Sequence, residues 1–375
     1  MAISFKWPWI GVAIPVCIIA GEHILTTFLM IKDSKQGDRI FTIFQGCLLM
    51  VWLSYYLAIK TSPGNPPVNY KVKSLGDPQG FWYKYCPKCR ADKPERTHHC
   101  KTCGRCILKM DHHCPWTMNC IGYRNMPHFV RFLFWVLISG ATGLWYHWGR
   151  LHHYWKIRNL PSYLISRTDL VLTMVCTLLL LFIEFTLLLL FMRTMDGLSK
   201  NVSTIEDWEQ DRMHHVFYRE AFWLKVRANF AKLHHGESFP ELTSWKINYR
   251  ELPKKSSVPL NFTFEDLVFP YDLGSSYENM KQSLGPFYQW LWPWGGPDRD
   301  GLSFPKTWWK EEDQLKLPFP IDGGDYQPLE GKETLVSIED EPDTTLGNFP
   351  NELGETLDNF GVDMGTENYI TRKNK

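Results

Sequence analysis

Seven of the ten cysteines of the chain lie in one short stretch, from Cys86 to Cys120. Two sets with the pattern Cys-x2-Cys-x9-His-x6-Cys can be written there, and the second set is the first displaced by 14 residues. Three thiolates and one imidazole fill a tetrahedral structural zinc site. The sequence therefore predicts two structural Zn²⁺ ions. The predicted ligands are Cys86, Cys89, His99 and Cys106 for one ion, and Cys100, Cys103, His113 and Cys120 for the other.

Cys114 belongs to neither set. A further displacement by 14 residues would start another Cys-x2-Cys turn at Cys114, but Thr117 stands at the partner position and no third set follows. Asp111 and His112 directly precede the spare thiol. An imidazole can accept the proton of a thiol and a carboxylate can orient that imidazole, as in nucleophilic catalysis. The spacing favours a catalytic Cys114, with a purely structural role as the alternative.

Two apolar runs precede this stretch and two follow it, each of about the 20 residues that a helix needs to cross a bilayer. They cover Trp9–Ile31, Ile40–Ile59, Phe129–Trp148 and Asp169–Met192. The predicted fold class is an all-α polytopic membrane protein with four transmembrane helices. A cysteine-rich, double-zinc loop of short hairpins is expected between the second and third helices.

The distribution of lysine and arginine predicts the orientation in the membrane. The connection from Lys60 to Pro127 carries 12 of these residues, whereas the loops after the first and third runs carry 3 and 4. The positive-inside rule then assigns the cysteine-rich loop to the cytosol, and an even number of spans places both termini there as well. A reducing compartment suits thiols that bind metal.

Charge is unevenly divided along the chain. The net charge is +1, but residues from 296 onward contain 18 acidic and 8 basic side chains, so the first 295 residues carry +11. A basic body and an acidic tail suggest an anionic partner, and the apolar runs favour the lipid bilayer over nucleic acid. We predict no nucleic-acid partner. The tail is rich in proline and glycine without a sustained period, and we expect it to be disordered.

These features divide the chain into five parts. The first two helices occupy residues 1–59, the cysteine-rich zinc domain 60–128 and the last two helices 129–192. A C-terminal region on the loop side follows at 193–295, and the acidic tail occupies 296–375.

Residues 111–114 read Asp-His-His-Cys. Within the longer string HHCKTCGRCILKMDHHCPWTMNCIG, and between the second and third of four spans, they resemble the DHHC family of protein S-acyltransferases. The resemblance covers roughly residues 9–210. It implies that Cys114 is acylated by a fatty acyl-CoA, usually palmitoyl-CoA, and passes the acyl group to a cysteine of a substrate protein. It also implies that His112 is the general base, that Asp111 orients it and that His113 is a zinc ligand.

Other strings resemble further motifs of this family. Ser203-Thr204-Ile205-Glu206 stands where the family has Thr-Thr-x-Glu, and FPYDLGSSYENMKQSLGP resembles a C-terminal motif whose asparagine and glycine are Asn279 and Gly285 here. The order of FPYDLG and WLWPWGGP resembles the fungal endoplasmic-reticulum branch. That resemblance implies the endoplasmic reticulum membrane as location. It also implies membrane-protein substrates with cytosolic cysteines, such as chitin synthase-like polytopic proteins.

An interpretation from another class is a membrane-anchored zinc module that binds partners and has no catalytic role. It accounts for the spans and both zinc sites, but it gives Asp111 and His112 no function beside Cys114. Under the acyltransferase interpretation, basic residues of the loop face lipid headgroups, CoA phosphates or solvent. These residues include Lys84, Arg96, Lys101, Arg105 and Lys109.

Overall fold

The computed structural model describes residues 9–33, 39–71, 82–217, 222–223, 264, 269–306, 349–351, 353–367 and 369–371. Four long helices dominate this part of the chain. They are α1 (Trp9–Lys32), α2 (Arg39–Lys60), α3 (Met126–Lys156) and α4 (Arg167–Ser199). All four are long and apolar enough to cross a bilayer. The prediction of four spans is confirmed, and α3 and α4 continue about two turns beyond the ends expected from hydropathy.

Helix α3 is the centre of the bundle and packs against both α2 and α4. Ion pairs tie the helices together at the end opposite the cysteine-rich loop. Arg150 of α3 lies 2.5 Å from Asp33, directly after α1, and Lys32 of α1 lies 2.5 Å from Asp169 of α4. These two pairs therefore join α1 and the residue after it to α3 and α4.

Three antiparallel hairpins form the loop between α2 and α3. Strand β1 (Trp82–Cys86) pairs with β2 (Ala91–Asp92), β3 (His98–Cys100) with β4 (Arg105–Ile107), and β5 (His112–Cys114) with β6 (Asn119–Ile121). Each hairpin starts its turn at a cysteine paired with the fifth residue after it. These pairs are Cys86 and Ala91, Cys100 and Arg105, and Cys114 and Asn119. The 14-residue displacement in the sequence is thus a repeat of one hairpin register.

Two short helices follow the bundle, α5 (Thr204–Val216) and α6 (Ser276–Leu284). The segment after α6 is fixed to α3 by Arg131, whose guanidinium is buried and donates to four backbone carbonyls. The acceptors are Gln289, Trp290, Pro293 and Gly295. The C-terminal region is therefore held against the same end of α3 that the zinc loop joins.

The last described part of the chain lies across the zinc hairpins. We call residues 349–351, 353–367 and 369–371 the C-terminal strap. Its strand β7 (Tyr369–Thr371) pairs with β1. Backbone hydrogen bonds join the strap to both zinc sets, because the amide of His113 donates to Phe360 and the amide of Asp363 donates to His99. Gly361, with φ +83°, approaches so closely that an added Cβ would lie 2.7 Å from the Cβ of His113.

Side chains of the strap are buried in the same place. Its apolar residues form one core with the hairpins and with Trp208 of α5; they are Phe349, Leu357, Phe360 and Val362. The carboxylate of Glu367 is buried against Lys93, Lys84 and His98 at 2.7, 2.9 and 3.0 Å. Burial alone would raise the pKa of Glu367, but the two ammonium groups hold it well below its ordinary value.

The expectation of a disordered tail from 296 to 375 is therefore wrong for the segments of it that the structure describes. The physical reason is that a low overall hydropathy hides a few well-placed apolar residues and one carboxylate with buried cationic partners. Residues 307–348 lie outside the described chain.

The expected surroundings of the basic loop residues also need correction. Four of the five named above have partners within the chain, and Arg96 and Lys109 are buried, whereas Lys101 stays exposed beside Asp358. The pairs are Lys84 with Glu367, Arg96 with Glu206, Lys101 with Asp358, and Lys109 with Asn201 and Ser283.

Replacing Glu367 with glutamine should destabilise the zinc loop, because it leaves the ammonium of Lys93, with 0% exposure, without a carboxylate. Breaking a buried ion pair from one side costs about 3–5 kcal/mol. Thermal unfolding and the rate of zinc release to a chelator measure the effect.

The control is Lys101→Gln, which breaks an exposed pair with Asp358 and should cost at most about 1 kcal/mol. Equal stability of the Glu367→Gln variant and the unaltered protein would show that the strap does not support the loop.

Candidate active site and zinc sites

The structure brings each predicted set of zinc ligands together. In both sets the four donor atoms lie within 4.8 Å of one another. The Nδ1 atom of His99 is 3.3 Å from the sulfurs of Cys86 and Cys89, and that of His113 is 3.4 Å from the sulfur of Cys103. Each set offers three sulfurs and one imidazole nitrogen. Two Zn²⁺ ions fit these Cys3His clusters, each as a filled tetrahedron without an open position for substrate.

The ligand sets follow from the hairpins. His99 faces Cys106 across the β3–β4 hairpin, and His113 faces Cys120 across β5–β6. Each of these two hairpins thus gives a histidine and a cysteine to one site, and the turn of the hairpin before it gives the Cys-x2-Cys pair of that site. The two sites therefore link all three hairpins into one unit.

Cys114 lies outside both clusters, as the spacing predicted, and its side chain is buried with 4% exposure. It belongs to one apolar core with residues of the first turns of α3, the end of α4 and α6. They include Met126, Phe129, Leu133, Leu198 and Leu284. The thiol is therefore held at the junction between the zinc loop and the bundle.

Asp111 and His112 lie beside this thiol. The Nδ1 atom of His112 is 2.8 Å from a carboxylate oxygen of Asp111, which leaves Nε2 for the thiol. The ring of His112 also meets Phe129 edge-on, with centroids 5.8 Å apart. These contacts fix both the tautomer and the plane of the imidazole.

The three groups perturb one another. Burial alone would lower the pKa of His112, but its hydrogen bonds with Asp111 and Cys114 raise the pKa to about 10. Burial alone would raise the pKa of the Cys114 thiol, yet the hydrogen bond with His112 lowers it below the ordinary value. The arrangement therefore favours a thiolate beside an imidazolium.

Helices α1 and α2 position the turn that follows Cys114. The side-chain amide of Asn119 donates to the last carbonyls of α2, at Ala58, Ile59 and Thr61, and so caps that helix. The hydroxyl of Tyr55 donates to the carbonyl of Trp116 at 2.7 Å. Gly11 of α1 packs against the same turn, and a Cβ there would lie 2.0 Å from the carbonyl oxygen of Pro115.

The Ser203–Glu206 string has a structural role that its resemblance to a motif did not reveal. Ser203 and Glu206 form a capping box at the start of α5. Thr204 then donates its amide to the carboxylate of Asp111 at 3.0 Å and its hydroxyl to the Asp111 carbonyl. Glu206 binds the buried guanidinium of Arg96 at 2.5 Å. Thr204 therefore fixes Asp111, and Glu206 holds α5 against Arg96 of the loop. The S-x-x-E pattern was the sequence signal for this helix start.

The asparagine of the second motif joins two distant segments. Asn279 of α6 donates to the carbonyl of Ser199, the last residue of α4, and accepts from the amide of Leu273. It is almost fully buried. Its contacts bring the C-terminal region to the end of α4, next to the site.

A cavity of about 830 Å³ opens beside Cys114 and runs into the bundle. Its inner part is apolar and is lined from α1, α3 and α4, by residues that include Ile18, Phe132, Val136, Phe182 and Leu187. Asp111, His112 and Cys114 lie at its loop end, together with Asn359 and Phe360 of the strap. Its volume is within the range of small-molecule sites, roughly 300–1,000 Å³.

Comparison with known proteins adds a family and relatives. Residues 81–211 match the family described as DHHC palmitoyltransferase. A protein of Debaryomyces hansenii named palmitoyltransferase PFA4 is 39% identical over 98% of this chain and 96% of its own length. The Saccharomyces cerevisiae protein of the same name is 36% identical over 98% of this chain and 100% of its own length. Probable protein S-acyltransferase 13 of Arabidopsis thaliana is 37% identical over 28% of this chain and 41% of its own length.

Variants of the two kinds of cysteine should differ in zinc content. Cys86→Ala removes a ligand from a filled site, so one zinc should be lost and the loop should unfold. Structural zinc supplies on the order of 10 kcal/mol of folding free energy to such domains. Cys114→Ala removes no ligand and should keep two zinc ions per chain. Metal analysis of the purified proteins measures the zinc content of both variants. Loss of zinc from Cys114→Ala would show that Cys114 is a zinc ligand.

Proposed function

The chain belongs to the DHHC palmitoyltransferase family and is a protein S-palmitoyltransferase, and from this premise we propose that Cys114 carries the acyl group between palmitoyl-CoA and the substrate protein. One observation carries the proposal. Within the described residues 82–217, Cys114 is the loop cysteine that neither zinc cluster uses, and it lies at the mouth of the apolar cavity beside His112. A non-catalytic zinc module would have no use for this thiol, its imidazole or its cavity.

In the first half of the reaction, the Cys114 thiolate attacks the carbonyl carbon of the palmitoyl-CoA thioester. A bond forms between this carbon and the Cys114 sulfur, and the bond to the CoA sulfur breaks. The proton held on His112 passes to the departing CoA sulfur, so that CoA leaves as a thiol. Asp111 keeps His112 in the tautomer and orientation that this transfer needs.

In the second half, the thiol of a substrate cysteine gives its proton to His112 while its sulfur attacks acyl-Cys114. The acyl group moves to the substrate, and Cys114 leaves as the thiolate. The thiolate and imidazolium are then restored. One thioester replaces another in each half, so the reaction needs little driving force. The site must instead position the reacting sulfur and carbonyl carbon and control the proton on His112.

The cavity suits the acyl chain. Each methylene group withdrawn from water contributes about 0.8 kcal/mol, so a palmitoyl chain strongly favours an apolar slot within the bundle. With the chain in the slot, the thioester lies at the level of Cys114. The same burial limits access of water, which would otherwise hydrolyse the acyl-enzyme. The structural zinc sites supply no chemistry to this reaction; their ligands hold the hairpins that carry Cys114.

We propose the endoplasmic reticulum as the location, with both termini and the zinc loop in the cytosol. Polytopic membrane proteins with cytosolic cysteines, chitin synthase-like proteins among them, are the proposed substrates. The excess of lysine and arginine in the loop supports the orientation, and the FPYDLG and WLWPWGGP strings support the branch. An N-terminal fluorescent fusion tests the location without altering the strap, and residence in another membrane would contradict it.

Intact-mass analysis after incubation with palmitoyl-CoA tests the role of Cys114. The unaltered protein should gain one palmitoyl group that hydroxylamine releases, and Cys114→Ser should gain none. His112→Ala should acylate roughly 100- to 10,000-fold more slowly, because the general base is lost. Asp111→Asn should be affected less than Cys114→Ser. A Cys114→Ser variant that still forms a hydroxylamine-labile acyl-enzyme would refute the assignment.

Glycosylation tests the orientation. Asn201 and Asn261 both start acceptor patterns, and glycosylation occurs on the lumenal side. Asn201 is buried and donates to the carbonyl of Tyr271 at 2.7 Å, so it is a poor reporter. Asn261 lies outside the described residues and should carry no glycan. Treatment with an endoglycosidase should therefore leave the electrophoretic mobility of the protein unchanged. A mobility shift that disappears in Asn261→Gln would place the tail in the lumen and contradict the proposed orientation.

A further inference from the structure

A closed loop of aromatic residues follows α6, and we call residues 285–296 the aromatic loop. Its two ends meet. Gly285, with φ +78°, comes so near to Gly296 that an added Cβ would lie 2.2 Å from the carbonyl oxygen of Gly296. The indole nitrogen of Trp290 donates to the carbonyl of Gly285 at 2.8 Å, so this side chain closes the loop from the inside.

The polar backbone of the aromatic loop is satisfied by the protein itself. Arg131, whose side chain is buried, donates to four of its carbonyls. Four of its amides donate to carbonyls of the same loop; they belong to Gln289, Trp290, Trp292 and Gly295. A backbone whose hydrogen bonds are made internally can enter an apolar surrounding at little cost.

The large apolar side chains of the loop are on its outside. Five of them are 48–79% exposed; they are Phe287, Tyr288, Leu291, Trp292 and Trp294. The chain has no charged residue between Lys281 and Asp298. A contiguous apolar surface of this kind marks a place where a protein binds another molecule or a membrane.

The aromatic loop lies where the spans leave the bilayer. Trp290 belongs to the same apolar core as Phe132 of α3 and Phe191 of α4. Arg131, which holds the loop, is in the second turn of α3. The apolar run of α4 ends at Met192, and charged residues follow it. The loop is therefore fixed at the level of the bilayer surface, beside the ends of α3 and α4.

We propose that the aromatic loop is a lipid-binding surface, which lies in the headgroup region of the bilayer and anchors the C-terminal region there. Tryptophan and tyrosine are enriched at that depth, because their rings are apolar and their polar atoms reach water. Continuity with the bundle favours lipid over a protein partner, since a partner on these side chains would have to displace the lipid beside α3 and α4.

The anchor adjoins the site through α6. Asn279 of this helix donates to the carbonyl of Ser199 at 2.8 Å, and Ser283 lines the cavity and accepts from Lys109 at 2.6 Å. Lipid contact on the loop that directly follows α6 would hold this helix against the ends of α3 and α4. The proposal goes beyond acyl transfer and does not require that Cys114 is the nucleophile.

Photo-cross-linking of the full-length protein in nanodiscs tests the contact. The bilayer contains phosphatidylcholine with a diazirine either near the glycerol group or at the end of the acyl chain. Trypsin cleaves after Lys281 and Arg299, so one peptide, 282–299, holds the whole loop. The comparison peptide is 201–212 of α5, which lies at the same end of the bundle and whose Trp208 is buried. We expect the diazirine near the glycerol group to label 282–299 at least about fivefold more than 201–212.

A variant tests the exposed rings. The combined changes Tyr288→Gln, Trp292→Gln and Trp294→Gln leave Trp290 and Arg131 in place, and labelling of 282–299 should fall at least about threefold. Two zinc ions per chain and an unaltered unfolding temperature in detergent would show that the variant is folded. The matched control combines Trp145→Gln and Trp148→Gln, both exposed in the other half of α3, and should leave this labelling unchanged.

Labelling of 282–299 no stronger than that of 201–212 would overturn the proposal and would leave a protein as the occupant of the surface. Equal labelling by the two diazirines would also overturn it, because the loop would then lie in the hydrocarbon core. Unchanged labelling of the folded triple variant would remove the role of the three rings. These results are independent of the Cys114→Ser experiment, so failure of the proposed function and failure of this proposal are distinguishable.

Discussion

The position of Cys114 depends on the cross-linking of very short strands by two sets of three sulfurs and one imidazole. Strands of two to five residues bury too little apolar surface to hold a loop of this length in one shape. The two ligand sets link neighbouring hairpins, so the third hairpin inherits its geometry from the first two. Helices α1 and α2 then hold that hairpin at the end of the bundle, through Gly11, Tyr55 and Asn119. The Cys114 thiol thus has a fixed depth relative to the apolar cavity, although Cys114 lies on a short strand and not on a helix.

Part of the uneven charge of the chain is paired within the protein itself. A basic body and an acidic tail suggested an anionic surface as partner, whereas the strap places carboxylates on basic residues of the zinc loop. Glu367 pairs with both Lys93 and Lys84 in a buried cluster, and Asp358 pairs with Lys101 nearer to solvent. Arg96 is taken up by Glu206 of α5. Four lysines of the loop, Lys84, Lys88, Lys93 and Lys101, therefore pair with carboxylates of the chain's own acidic end.

The sequence predicted features whose signal is local or periodic. The spans could be predicted because the thickness of the bilayer fixes how many apolar residues a helix needs to cross it. The zinc ligands could be predicted because a tetrahedral ion requires four donors, and their spacing repeats in the sequence. The roles of Thr204 and Glu206, and the packing of Phe360 and Gly361 on His113, were not predicted. These contacts join residues about 90 to 250 positions apart, and single residues at such separations leave no period in the sequence. The spare thiol at Cys114 was visible in the spacing, but its position beside the apolar cavity required coordinates.

The strap has a consequence for the order in which the protein is made. The ribosome delivers Cys114 and all eight zinc ligands long before it delivers Phe360, Gly361 and Glu367. During that interval the hairpins lack the chain that covers them, and the cavity lacks part of its wall at the loop end. The nascent chain has Cys114, His112 and Asp111 but an incomplete cavity wall beside them. A chain that stopped between α5 and the strap would therefore keep the membrane helices, the eight zinc ligands and Cys114, but it would lack the part of the cavity wall that Asn359 and Phe360 supply.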